Sequence, residues 1–295
     1  MTAKERLCAL AAEVEVYLAA CLRDKDIPDG LLAAMQYSLD AGGKRLRPGL
    51  CLAFAELHGA AKETVMPFAC ALELIHTYSL IHDDLPAMDN DDLRRGKPSN
   101  HKVFGEAAAI LAGDGLLTEA FGLMASGAPG LPEAAGLAAI AEIARAAGAA
   151  GMVGGQALDM ECTGKTDVPL GKLRDMHARK TGALITAACA VGAVLAGAGA
   201  GGLEKARAYG REIGVAFQIV DDILDVTGDT ASLGKPVGSD QDKGKTTYPS
   251  LLGLAQSAAL ARECVARAKA ALDGFSGETV DFLRQLADYI VDRVH

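Results

Sequence analysis

Apolar residues recur along this chain every three to four positions. Leu7, Leu10, Ala11, Val14 and Leu18 share one side of a helical wheel, and so do Leu283, Leu286, Ile290 and Val291 towards the other end. This is the spacing of helices rather than strands, and it predicts an all-α fold: about ten or more helices in one large bundle around a central cavity. The first helix is amphipathic and ends before Pro28. Glycine- and proline-containing stretches predict loops near residues 24–30, 42–43, 89–100, 127–132, 163–171, 197–202 and 228–244. No linker and no clean repeat interrupts the pattern, so residues 1–295 read as a single domain. Residues 181–203 form an uncharged run of 23 residues, long enough to cross a bilayer. Its bulk is Ala and Gly and it lacks flanking aromatics, which fits the middle of a bundle better than a membrane span.

Composition sharpens this picture. Hydrophobic residues make up 50% of the chain and charged ones 23%, enough apolar material for a sizeable core. Thirty-four glycines, abundant Ala and few β-branched runs favour closely packed helices. A net charge of −9 argues against nucleic acid or anionic lipid as partners. Any anionic substrate must then be held by a local basic patch. Cys8, Cys21, Cys51, Cys70, Cys162, Cys189 and Cys264 are scattered without metal-ligand spacing and read as thiols of a reducing cytoplasm. Lys4, Glu5, Arg6, Glu13 and Glu15 interrupt the first apolar positions, which fits neither a secretory signal nor an acid-poor transit peptide.

The chemistry gathers in two acidic clusters. Asp83, Asp84, Asp89, Asp91 and Asp92 lie so close in sequence that they repel unless water screens them or a hard cation binds them. A solvated acidic turn is the plain alternative. On an unbroken helix Asp83 and Asp89 would stand about 240° apart, so Pro86 must break the helix if both are to serve one site. In the second cluster, Asp221 and Asp225 lie about 40° apart and one turn apart, with Gln218 about 60° to the other side of Asp221. They form a polar stripe among Ile219, Val220, Ile223 and Leu224. Carboxylates so placed need a cation partner. The basic residues fall in three groups. Lys44, Arg45 and Arg47 follow Gly42-Gly43, and Arg94 and Arg95 follow the first acidic run. Lys180, Lys235 and Lys245 form the third, with a solvated loop as the alternative for Lys245. Arg suits bidentate phosphate contact and Lys a point-charge contact. His76 lies two turns before Asp83 on the same face, where a satisfied core histidine is the ordinary expectation. His82 reads as structural.

Taken together, Asp83-Asp84 with Asp89, Asp221-Asp222 with Asp225, Gly43-Lys44-Arg45-Leu46-Arg47-Pro48, Lys180-Thr181-Gly182 and Gly244-Lys245-Thr246-Thr247-Tyr248-Pro249 resemble the motifs of the trans-polyprenyl diphosphate synthases, in particular of bacterial farnesyl diphosphate synthases. The resemblance implies a homodimeric prenyltransferase that joins isopentenyl diphosphate to dimethylallyl or geranyl diphosphate. It implies about three Mg²⁺ ions, with Mn²⁺ able to substitute, on Asp83, Asp89 and Asp221, supported by Asp84, Asp222 and Asp225. It assigns Arg94, Lys180, Thr181, Gln218 and Lys235 to the allylic diphosphate. Lys44, Arg47, His76 and Arg95, with Gly43 supporting their loop, fall to isopentenyl diphosphate, and Gln156 and Asp159 line the cavity. An aromatic at Tyr78, five residues before Asp83, goes with a farnesyl (C15) product, and smaller residues there with geranylgeranyl (C20). A terpene cyclase would share the bundle and lack the Lys44 to Arg47 site.

Overall fold

The computed structural model describes residues 1–23, 25–127, 131, 133–165, 167–228 and 243–292. Lys235 and most of the expected loop at 228–244 lie outside the described residues. The chain runs α1 (Ala3–Ala20), α2 (Asp29–Leu39), α3 (Leu46–Leu57) and α4 (Lys62–Asp83), then a short hairpin of β1 (Leu93–Arg94) and β2 (Lys97–Pro98). It continues through α5 (Asn100–Phe104), α6 (Glu106–Ala125), α7 (Glu133–Ala147), α8 (Met152–Cys162) and α9 (Leu170–His177). A π-helical turn, Ala178–Gly182, joins α9 to α10 (Ala183–Leu195). Then come α11 (Ala200–Thr227), α12 (Tyr248–Leu252), α13 (Leu254–Ala271) and α14 (Glu278–Asp292). The all-α expectation holds, with the hairpin as the one sheet among the described residues.

One contiguous apolar core runs through the bundle. At its middle stand α4, α10 and α11. Helix α4 packs on α3 and α6, α10 on α3, α7 and α11, and α11 on α13. The wealth of glycine follows from how closely these helices approach. A Cβ on Gly192 of α10 would fall 2.2 Å from the Cys51 carbonyl oxygen of α3. On the other side, a Cβ on Gly210 of α11 would fall 2.7 Å from Thr186 Cα, and one on Gly214 would fall 2.8 Å from Gly182 Cα. Larger side chains would push these axes apart.

The uncharged run at 181–203 is not a single helix. It breaks after Leu195 at Gly197, whose φ of +70° suits glycine, and α11 starts afresh at Ala200. By length and composition four helical stretches among the described residues could cross a membrane: Lys62–Asp83, Glu106–Ala125, Ala134–Cys162 and Leu170–Leu195. The first is 78% buried inside this chain, whereas Glu106–Ala125 is only 33% buried, so an apolar face of α6 lies open.

Packing at Gly192 can be tested by contrast. Because the obstructing atom belongs to the backbone of α3, Gly192→Ala is expected to destabilise by about 1–3 kcal/mol. Gly122→Ala, on a face of α6 with nothing within 4 Å, is expected to stabilise by about 0.5–1 kcal/mol. Urea midpoints of the two variants should move in opposite directions, and equal shifts would refute close α3–α10 contact.

Candidate functional site

The first acidic cluster is shaped by the end of α4. Leu85 precedes Pro86 and is thereby steered away from helical geometry, so the helix stops at Asp83 with Asp84 as its C-cap. The chain then folds back: the Asp89 N–H donates to the Asp83 carbonyl at 2.8 Å, and the Asn90 N–H to that of Leu85 at 3.1 Å. Asn90 takes a left-handed φ of +52°, which Asn tolerates better than most residues. The expected helix break is therefore present and returns Asp89 to Asp83. Burial raises the Asp83 carboxyl to about 6; Lys180 opposes this, and the charges of Asp89 and Asp84 add to it. Asp84 turns the other way. It is 2% exposed and accepts the Arg94 Nε on both oxygens at 3.1 and 3.2 Å.

Arg94 and Arg95 owe their places to the hairpin, which the sequence pattern did not reveal. Arg95 (φ +54°) and Gly96 (φ +76°) form a two-residue turn with both residues left-handed. From there Arg95 donates to the Gly42 carbonyl. Gly43 has to be glycine here: its φ is +138°, and a Cβ would lie 2.7 Å from Arg95 Cζ. Next along this loop, Arg45 is also left-handed, and its guanidinium lies 2.6 Å from Glu73. Arg47 follows in the first turn of α3. Burial lowers it to about 10; Glu73 and Asp221 oppose this, and Arg95 adds to it. His76 is held neutral first by burial and then by the charges of Arg47, Arg95, Arg94 and Arg45. A basic shelf thus forms between α3, α4 and the hairpin, with Lys44 exposed at its edge.

The second cluster sits on α11 and faces the π turn. Lys180 donates to Asp159 Oδ2 at 2.6 Å, and Thr181 Oγ1 donates to Gln218 Oε1 at 2.9 Å. Gly155 permits this approach, because a Cβ there would lie 2.1 Å from the Lys180 backbone nitrogen. Gln218 Nε2 donates to Asp222 Oδ1 at 2.9 Å, and the Tyr248 N–H donates to Asp222 Oδ2 at 2.9 Å. The stripe gains a member here: Gln218 pairs with Asp222, four residues on, and positions 218, 221, 222 and 225 share one face of α11. Asp222 and Asp225 are both buried.

Lys245 joins the first cluster to Asp159 of α8. Its ammonium lies 3.1 Å from Asp89 and 3.5 Å from Asp159, so it is no solvated loop residue. Lys243 meets Asp91 in the same way. Burial tends to raise the Asp159 carboxyl, but Lys180 and Lys245 bring it below the usual carboxylate range. The sequence reading passed over Lys243, Glu73, His177 and the Tyr248 amide. Only the Gly244-to-Pro249 motif offered a signal, and it pointed to Lys245.

Among the described residues no group of three or more His, Cys, Asp or Glu is arranged to hold a metal ion. The donor set nevertheless suits a hard cation. Carboxylates crowd around Asp83, and the Gln156 amide and Arg47 Nε are buried without a protein partner, fitting ligand or water oxygens. His82, by contrast, is structural as expected: its Nε2 contacts the Ile110 carbonyl at 3.0 Å, and its ring meets Tyr78 edge-on at 5.7 Å.

Comparison with known proteins points the same way. The family model for polyprenyl synthetase matches residues 28–275. The chain is 47% identical to the farnesyl diphosphate synthase of Bacillus subtilis, covering 96% of this chain and 95% of that protein. It is 50% identical to a chloroplastic geranylgeranyl pyrophosphate synthase of Capsicum annuum over 90% of this chain and 72% of that one. Among solved structures, an FPP/GFPP synthase from Zymomonas mobilis superposes with a TM-score of 0.84 at 38% identity and 98% coverage of both chains.

His177 yields a prediction. It is buried behind Lys180 with its ring 5.4 Å from Tyr248, and burial lowers it to about 4; Asp159 opposes this, while Lys180 and Lys245 add to it. The unfolded chain binds this proton near pH 6.5, so between pH 6.5 and 4 it holds more protons than the folded one. His177 therefore costs stability as the pH falls through that window. Between pH 7 and 5 the wild type should lose about 2 kcal/mol that His177→Phe retains. Asp83 titrates in both proteins and cancels in the difference. Parallel loss in the two, read from urea unfolding, would show that His177 is not held neutral.

Proposed function

The chain belongs to the polyprenyl synthetase family, and on that premise we propose that it condenses isopentenyl diphosphate with dimethylallyl and geranyl diphosphate to give farnesyl diphosphate, with Mg²⁺. One observation carries this reading: two separate cationic sites flank the acidic clusters. The guanidinium groups of Arg47 and Arg95 lie on one side, and the ammonium groups of Lys180 and Lys245 on the other. Two diphosphate substrates need two such sites, and a cyclase needs one.

Asp83, Asp89 and Asp221 would hold the ions, about three by likeness to the family, with Mn²⁺ able to substitute. When bound, Mg²⁺ stabilises the charge that develops on the diphosphate as the allylic C–O bond breaks. The protein's part is positioning. Arg94, Lys180, Thr181 and Gln218, with Lys235 by its motif and Lys245 beside them, receive the departing diphosphate, while Asp84, Asp222 and Asp225 support the carboxylate face. Lys44, Arg47, His76 and Arg95 orient isopentenyl diphosphate so that its double bond faces the new cation. Neutral His76 can hydrogen-bond there without adding charge. The proton lost after C–C bond formation passes to the released diphosphate, so no side-chain base is required. The apolar walls keep water from the cation.

Product length rests on Tyr78. It is 6% exposed on α4, about 7.5 Å back from Asp83, with Leu74 and Ile75 fully buried one turn deeper. His76 faces the arginine shelf, whereas Tyr78 meets His82 on the α6 side. A ring there would close the floor under a C15 tail. We also take the protein to act in the cytoplasm as a homodimer; exposed Val103, Ile110 and Leu111 on α5 and α6 offer an apolar face to a second copy.

Purified protein should condense isopentenyl and geranyl diphosphates only with Mg²⁺ or Mn²⁺. Asp83→Ala and Asp221→Ala should each lose about 100-fold or more in kcat while keeping the wild-type circular dichroism spectrum. Near-normal turnover in either would remove that carboxylate from the ion site. Arg47→Ala should raise the KM for isopentenyl diphosphate about tenfold to hundredfold with little effect on that for geranyl diphosphate. Equal effects on both would merge the two anion sites. Chromatography of products should show mainly C15 from wild type and C20 or longer from Tyr78→Ala. Mainly C20 from wild type would place the protein with geranylgeranyl-forming relatives.

A further inference from the structure

Glu73 is 1% exposed in the middle of α4, and no step of the condensation uses it. Its Oε1 accepts from Arg45 Nη1 at 2.6 Å, while Arg45 Nη2 donates to the Leu39 carbonyl at 2.6 Å. Arg45, 3% exposed, thereby ties the end of α2 to α4 across the loop at residues 40–44. Desolvating two charges offsets most of what their attraction gives, so such a pair contributes little to stability. What it fixes is position. Arg45 takes a left-handed φ of +46°, which side chains disfavour, and the contacts of its guanidinium offset that cost and hold the turn between Lys44 and Arg47. Glu73 also acts directly on the shelf: its charge reaches Arg47 and Arg95, whose like charges otherwise oppose those of their arginine neighbours.

We infer that Glu73 and Arg45 are positioning residues for the isopentenyl diphosphate site: the buried pair sets the loop so that Lys44, Arg47 and Arg95 converge before the substrate arrives. This rests on the reading of that shelf given above. Electrostatics alone predicts the opposite result. Glu73 is an anion near an anion site, so by Coulomb's law its removal should tighten diphosphate binding. Preorganisation predicts weaker binding, because the loop must then be ordered by the substrate.

Glu73→Gln keeps the shape and removes the charge. Glu15, 3.5 Å from Arg45 Nε, still offers that arginine an anion. The expected result is a KM for isopentenyl diphosphate raised about tenfold, with the KM for geranyl diphosphate and kcat at saturation within about threefold of wild type. Calorimetric binding of isopentenyl diphosphate alone should weaken by a similar factor. Arg45→Lys leaves Glu73 a cation, but one ammonium cannot match the guanidinium's fork onto both Glu73 and Leu39, so the same selective loss is expected. That variant decides the matter if Glu73→Gln melts early. Unchanged or tightened isopentenyl diphosphate binding in a folded variant overturns the inference, and so does a fall in kcat with both Michaelis constants unmoved. A wild-type protein that binds isopentenyl diphosphate but gives no condensation overturns the functional reading instead, and that control is read before the variants are compared.

Discussion

Every charge inside this apolar bundle has to be answered by another, and the organisation of the centre follows from that. Exposed ion pairs gain little, but leaving one buried partner alone is expensive. The described interior meets this with linked sets: Arg45 with Glu73, Arg94 with Asp84, and Lys180, Asp159, Lys245 and Asp89 in one chain. The irregular backbone follows the same need. Among the described residues, the non-glycine residues with left-handed φ are Arg45, Asn90 and Arg95, all beside the site. The π turn between α9 and α10 carries Lys180 and Thr181, as such turns often do at functional positions. Regular helices could not have aimed these side chains inwards.

What the sequence disclosed and what it concealed divide along physical lines. Helical periodicity is a local signal, so the elements were legible, as was the need for a break between Asp83 and Asp89. The α10 part of the Ala- and Gly-rich run is bundle interior, whereas Gly197 ends that helix and most of the residues just after it are exposed. The hairpin was invisible: strands of two residues have no period to read, and its turn depends on Arg95 accepting a conformation that glycine prefers. Partnerships distant in sequence were hidden as well. Nothing in spacing links Lys245 to Asp89 or Arg45 to Glu73, which meet only once α3, α4, α8 and α11 have packed. The pairing of Gln218 with Asp222 follows from four-residue spacing, on the same face of α11 as Asp221 and Asp225.

Most anions and most cations of the site come from different kinds of structure, with Arg47 on α3 and Lys180 on the π turn as helical cations and Asp89 as an anion in the turn after α4. Asp83, Asp159, Asp221, Asp222 and Asp225 stand on helices, whereas Lys44, Arg45, Arg94, Arg95, Lys243 and Lys245 lie in loops or in the small hairpin. Helix interiors are locked by their own hydrogen-bond ladders and by burial, and loops open at lower free energy than the fold as a whole. The acidic half therefore belongs to the slowest-opening part of the molecule. The cationic half is secured by a few contacts, such as Arg95 on Gly42 and Lys245 on Asp89. A polyanion enclosed by that many cations would escape only slowly from a rigid cage. Hinging the cationic half on loops lets it leave by local opening, at a free-energy cost set by those few contacts rather than by the bundle.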